Sequence, residues 1–326
     1  MQKGIILTCT LILIQSQQIE TECPIYRCHD ESKAEDECAI VNGPDFIIKP
    51  CPEGQSCDPT IRKCVKSSKV LAFPGNKCDS EQKCLWDCID GVCRGKKEFE
   101  NCHSEIECDS ELMCYKGSCR KKISHSEKCL KDYECPNDEF CYNGACTKYF
   151  SLKSGEFIHS CIDYESKQCS SGMCYSYRCI DELSIERFEK NPCSDHFCEV
   201  VHGDMQFYHK CSCGLSPNGD SYCESVATDP VRAVKRKLWK KWVNSKEIHN
   251  CNTIQRFDLS CVKDWDYELY KNILYYDIII KNFAKLQNIE ECVQNSVFPQ
   301  IRDLIEQVDG SYGIGLFLYL MTLLLV

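Results

Sequence analysis

The chain contains no Asn-x-Ser/Thr sequon, which excludes N-linked glycan as its protection against proteolysis. It has no G-x-S-x-G, no H-E-x-x-H and no phosphate-binding glycine loop. It therefore lacks the local arrangements that activate a nucleophile, hold a catalytic zinc or cradle a nucleotide. No D-x-[DN]-x-[DN]-G loop is present for calcium. The 8 histidines are scattered and read as solvated loop residues. Net positive charge is lacking as well, since 49 acidic residues outnumber 39 Lys and Arg for a formal charge of −10. That balance does not supply the basic field a nucleic-acid partner requires. The expectation is a chain that is not an enzyme, carries no cofactor or metal, and binds no nucleic acid.

What the chain has in excess is cysteine, 31 in 326 residues, the density of a disulfide scaffold in a secreted protein. Residues 1–16 carry one positive charge followed by a short apolar run that gives way to polar Gln15-Ser-Gln-Gln18, the form of a secretory signal peptide. Cleavage there removes Cys9 and leaves an even 30 cysteines, as a fully paired framework requires. Residues 309–326 form an apolar tail that runs to the last residue. From Gly313 the tail reaches only about 21 Å as a helix, short of a hydrocarbon core of about 30 Å. Small residues before such a tail read as a glycolipid attachment signal, with Asp309, Gly310 and Ser311 as candidate sites. A short hydrophobic span is the alternative, and the polar spacer usual in such signals is nearly missing.

The cysteine spacing repeats within residues 71–180. Four units read Cys78, Cys84, Cys88, Cys93; Cys102, Cys108, Cys114, Cys119; Cys129, Cys135, Cys141, Cys146; and Cys161, Cys169, Cys174, Cys179. Turn-like residues precede the last cysteine in Asp90-Gly-Val-Cys93, Lys116-Gly-Ser-Cys119 and Asn143-Gly-Ala-Cys146, where glycine permits the positive φ of a tight reversal. Units this small cannot bury enough apolar surface to offset chain entropy, so crosslinks must do so. Two bridges per unit are expected, and four cysteines allow three pairings.

Residues 17–70 hold six further cysteines, Cys23, Cys28, Cys38, Cys51, Cys57 and Cys64. Residues 181–228 form a β-like block with Cys193, Cys198, Cys211, Cys213 and Cys223, and residues 229–308 add Cys251, Cys261 and Cys292. Five and three are each odd, so the expectation is that these eight close among themselves, with at least one bridge crossing from the block to the C-terminal region. In that region Val231, Val234, Leu238, Trp242 and Val243 recur at helical spacing, as do Ile301, Leu304, Ile305 and Val308. The fold class expected is small disulfide-rich modules in tandem, irregular with short β-hairpins, followed by a small α-helical C-terminal domain.

The units Asn101 to Cys119 and Lys128 to Cys146 share an acidic residue before the second cysteine, an aromatic or Met beside the third and a Gly before the fourth. On these features they resemble the Dickkopf N-terminal cysteine-rich domain and related EB-type modules, over about Cys78 to Cys179. The stretch Lys210-Cys-Ser-Cys-Gly-Leu-Ser-Pro-Asn-Gly-Asp-Ser-Tyr-Cys223 resembles a segment of anchored cysteine-rich surface proteins from protists. The resemblance implies a module type and an extracellular setting. Dickkopf proteins antagonise Wnt signalling largely through a second, colipase-like cysteine domain that is not found here, so that activity is not carried over.

Two constellations remain. Cys211-Ser-Cys213 and Cys193-x4-Cys198, with His196, His202 and His209 near in sequence, match a zinc site only loosely, and disulfides are the expected state. The stretch Arg232, Lys235, Arg236, Lys237, Lys240, Lys241, interleaved with Trp239 and Trp242, contains no acid and is the candidate basic surface. It would attract anionic headgroups or acidic glycans; alternatively its apolar residues pack inward while the cations face water or pair with the acidic repeats. The functional expectation is a binding or coat protein on the extracellular face of the plasma membrane, its partner an extracellular protein or glycan. Its rigid modules would stand in series, raised by an anchored helical domain. The rivals are a secreted Dickkopf-like ligand or antagonist and, last, a protease inhibitor.

Overall fold

The computed structural model describes residues 23–28, 37–42, 45–49, 51, 55–58, 61–66, 72–79, 84–183, 193 and 197–301. The signal peptide, Leu304, Ile305, Val308, the tail and the attachment candidates Asp309, Gly310 and Ser311 lie outside these residues, as does the side chain of Cys28.

A three-stranded sheet opens the fold, with β1 (Ile25–Cys28) parallel to β3 (Asp45–Ile48) and β2 (Ala39–Asn42) antiparallel to β3. Five short hairpins follow: β4/β5 (Gln55–Asp58, Lys63–Lys66), β6/β7 (Asp87–Ile89, Val92–Arg94), β8/β9 (Leu112–Tyr115, Ser118–Lys121), β10/β11 (Glu139–Tyr142, Ala145–Lys148) and β12/β13 (Cys174–Tyr175, Arg178–Cys179). A second three-stranded sheet joins β14 (Phe197–His202), β15 (Met205–Cys213) and β16 (Ser221–Cys223). Among the described residues the C-terminal region holds the helices α1 (Pro230–Val243), α2 (Leu259–Trp265), α3 (Tyr267–Lys281) and α4 (Glu291–Val297), with a further helical start at residues 299–301. Among the described residues no helix is long and apolar enough to cross a membrane.

One covalent pattern recurs throughout. In each of the four repeats the first cysteine bonds the third and the second bonds the fourth, from Cys78–Cys88 and Cys84–Cys93 to Cys161–Cys174 and Cys169–Cys179. The third and fourth cysteines face each other across the hairpin, as Cys114 does Cys119 and Cys141 does Cys146. Each is nevertheless bonded to the preceding loop, so the loop is stapled to both strands. The same arrangement appears in two places where the spacing did not reveal it. Cys38–Cys57 and Cys51–Cys64 wind a unit on β4/β5, and Cys193–Cys211 and Cys198–Cys223 wind one on β15/β16.

The expected bridge between the β-block and the helical region does not form. Cys213 reaches back to Cys23, Cys251 bonds Cys261, and Cys292 is bonded to none of these. The odd counts are resolved elsewhere: the six N-terminal cysteines do not close on themselves, because Cys23 leaves that group for Cys213.

The helical region carries much of the apolar interior, beside a smaller cluster of Phe140, Leu152 and Ile158 in the third and fourth repeats. Asp258 caps α2 by accepting from Ser260 N at 2.8 Å, and Asp266 caps α3 by accepting from Leu269 N at 3.0 Å. Pro230 opens α1 at a position that needs no N–H partner. Trp242 is fully buried with Val243, Ile248, Val262, Leu269 and Ile273, and its Nε1 donates to Arg256 O at 2.7 Å. A second cluster joins Tyr275, Tyr276 and Ile280 of α3 and Val293 and Val297 of α4 to Tyr26, Ala39 and Ile48 of the N-terminal sheet.

Modules in series are not what the structure shows. Every repeat docks on the helical region. Trp265 Nε1 donates to Gly75 O and Asn76 Nδ2 to Asp264 Oδ2, each at 2.8 Å. Asn252 Nδ2 donates to the carbonyls of Glu105 and Cys108 at 3.1 and 3.2 Å. Asn137 Nδ2 donates to the carbonyls of Ile248 and Cys251 at 2.8 and 2.7 Å. Arg232 and Arg236 of α1 both bind Glu165 of the fourth repeat, at 3.2 and 3.0 Å. The Trp265, Asn252 and Asn137 contacts satisfy backbone carbonyls at the docked faces, as burial requires. The Asn76–Asp264 and Arg–Glu165 contacts join side chains across the same seams.

Candidate functional site

Two regions were candidates for chemistry on sequence grounds, the cysteine framework and the basic stretch, and the structure adds a cleft. In the cysteine framework, sulfur atoms of adjacent bridges crowd within 4.8 Å, as in Cys102, Cys108 and Cys114, or Cys193, Cys198 and Cys223. Such spacing would suit a metal were the sulfurs thiolates. Every cysteine whose side chain is described is instead disulfide-bonded, and a half-cystine offers no thiolate ligand. Cys211 and Cys213 go to different partners, Cys193 and Cys23, which removes the loose zinc pattern.

The basic stretch does form a helix, but it does not form one basic surface. Arg236 is buried, with Nη1 donating to Ala227 O at 2.7 Å and to Glu165. Arg232 Nε donates to Ser225 Oγ at 3.0 Å. Lys235 Nζ binds Asp277 of α3 at 2.5 Å, and Lys281 binds the other oxygen of the same carboxylate at 2.6 Å. Burial alone would raise the Asp277 carboxyl, but the two ammonium hydrogen bonds prevail and hold it below the usual carboxylate range. Three of the six cations are thus structural, turned inward because α1 packs against both α3 and the fourth repeat. Lys237, Lys240 and Lys241 remain exposed.

A cleft of about 980 Å³ opens where the N-terminal region meets α3 and α4, lined in part by Tyr26, Val41, Leu215, Leu274, Ile278 and Phe298. Its polar lining includes Asp277, already held by Lys235 and Lys281, together with Arg62 and Lys285. Such a wall can exclude water from an apolar guest.

The residues that sequence reasoning passed over are those of the outer loops. Phe99, Leu130, Phe157, Ile162 and Tyr177 are exposed, Leu130 to 85%. The repeat pattern marked the cysteines and gave the loop residues between them no signal of their own.

Comparison with known proteins fits this reading of the units. Residues 101–148 match the family model described as a domain of unknown function (DUF7107), and the match spans the second and third repeats together. No curated protein and no solved structure matches the chain. Dense bridging requires an oxidising compartment, so the chain is a disulfide-rich, cysteine-repeat protein of the secretory pathway or cell exterior.

Proposed function

We propose that the chain acts outside the cell as a binding or coat protein, without catalysis, held at the extracellular face of the plasma membrane by a lipid added near Asp309, Gly310 or Ser311. The observation that carries this reading is the placement of the loops. With the units docked around the helices, Phe99, Leu130 and Tyr177 stay exposed. Scattered apolar residues are normal on a surface, but here they sit on loops tied at both ends, where little entropy is lost on binding. The resemblance of the second and third units to Dickkopf N-terminal and EB-type modules supports the same class of role.

Treating intact cells with a phosphatidylinositol-specific phospholipase tests the anchor. Release of the protein into the medium is expected. Retention after treatment contradicts a lipid anchor, and appearance in the medium without treatment favours a secreted ligand.

A further inference from the structure

Four hairpins built to one plan allow position-by-position comparison, and the fourth departs from the others at two neighbouring points. The second turn residue is Gly91, Gly117 and Gly144 in the first three, each at positive φ. In the fourth it is Tyr177, at φ 58, following Ser176 at φ 48. A non-glycine residue there is costly, and for a bulky side chain more so. The residue bridged to the strand after the turn is Lys77, Asn101 and Lys128 in the first three units and Phe157 in the fourth. Both substitutions put aromatic rings where the fold needs none.

Neither ring is used to build the interior. Phe157 is 49% exposed and Tyr177 57%. Their centroids lie 6.5 Å apart with planes inclined at 31°, and His159 stands edge-on to Phe157 at 5.7 Å. Tyr164, also at positive φ, makes the contrast. Its ring packs against Phe207 at 5.0 Å and Tyr175 at 6.1 Å, which joins the fourth unit to the β14/β15 hairpin. The backbone beneath the exposed pair is fixed: Ile158 N donates to Tyr177 O at 2.9 Å, and Tyr142 OH donates to Phe157 O at 3.0 Å. Strain kept at an exposed, rigidly held aromatic residue is the mark of a contact site.

We infer that Phe157, Tyr177 and His159 form a carbohydrate-binding platform that takes one or two pyranose rings of a glycan on a neighbouring molecule. Size selects this partner. At these exposures two aromatic side chains offer on the order of 200 Å², far below the roughly 800 Å² per partner of a stable protein interface. One sugar face, whose axial C–H bonds point into an aromatic ring stacked against it, needs no more. Arg178, Glu156 and Ser160, next to these residues in the chain, are exposed. Arg178 Nη1 donates to Gly155 O at 2.9 Å and Glu156 accepts from Lys153 N, which fixes both side chains while Ser160 and their remaining polar atoms face sugar hydroxyls. The inference rests on the binding role proposed above and names its partner class.

The test uses the full secreted chain on an array of defined neutral and acidic oligosaccharides, followed by calorimetric titration of the best trisaccharide. Wild-type protein is expected to bind, and Phe157→Ala and Tyr177→Gly each to weaken binding tenfold or more. Tyr177→Gly is expected to keep or raise the melting temperature, because glycine relieves the turn; this separates lost contact from lost folding. Binding unchanged in both variants, or no glycan bound at all, overturns the inference. A protein ligand lost in both variants while every glycan stays inert also overturns it, in favour of a protein interface. Phospholipase release of the Tyr177→Gly protein from cells reads the anchor separately, so a failed platform and a failed surface location give different results.

Discussion

The second repeat and the helical region reach a buried interior by opposite means. In the repeat the buried cluster is Cys102, Cys108 and Cys119, with Leu112 and Cys114 packed against it. In the helical region it is Trp242, Val243, Ile248, Val262, Leu269 and Ile273, around a single bridge, Cys251–Cys261. Sulfur orders the first by limiting its unfolded states, about 3 kcal/mol for a loop of this size. Apolar burial orders the second, at about 25 cal/mol per Å² removed from water. The difference teaches why the repeats gather on the helices: a sulfur-cored unit holds its own shape but leaves backbone groups to be satisfied by a larger body.

The largest break in this comparison comes from the helical side. Trp242→Ala is expected to cost about 3 to 5 kcal/mol in denaturant unfolding, and to raise hydrogen exchange at the docked faces of the third and fourth repeats while their bridges stay intact. Cys102→Ser with Cys114→Ser should cost about 3 kcal/mol, with exchange rising within residues 101–120 and α1 and α3 remaining protected. If both regions lost protection together, the division between them would be wrong.

A sharper probe is Gly75, at φ 92, where an added Cβ would stand 2.0 Å from Asn250 O. Gly75→Ala should separate the first repeat from the helices at a cost of about 2 kcal/mol, seen as faster exchange at Lys77 and Trp265 with Cys78–Cys88 and Cys84–Cys93 unchanged. Asn137→Ala, which removes two donated hydrogen bonds, should cost about 1 to 2 kcal/mol and loosen the third repeat alone.

The most gradual effect is that of pH. Partly buried Lys122 donates to Asn137 Oδ1, and burial first, then the charge of Arg256, pushes its ammonium down to about 7. The unfolded chain binds that proton up to about 10.5, so between these values the unfolded state holds more protons than the folded one. Stability therefore rises with pH across this window, by no more than about 1.4 kcal/mol per unit, and is flat in this group below it. Lys122→Met should remove the slope in urea titrations run from pH 6 to 10.

Much of the fold could be read from residues alone, and the limits have physical causes. The four repeats, their Asp-Gly, Lys-Gly and Asn-Gly turns and the helix from Pro230 are local patterns, and they are present. The pairing within a unit was not legible, because spacing leaves three choices open. The units on β4/β5 and β15/β16 were missed because 12 residues separate Cys38 from Cys51 and another 12 separate Cys198 from Cys211, which hides the period. Docking was invisible because Asn137, Asn252 and Asp264 act singly and leave no periodic trace. The basic helix was divided by Glu165 and Asp277, neither of which is near it in sequence.

Peptide mapping of the purified protein under non-reducing conditions bears most directly on the central claim, that sulfur links wound first to third and second to fourth give the repeats their form. The expected fragments join Cys102 to Cys114 and Cys108 to Cys119, and likewise Cys129 to Cys141 and Cys135 to Cys146, with no thiol titrating in the repeats after denaturation. Neighbouring cysteines joined in sequence order, or free thiols in these units, would contradict it.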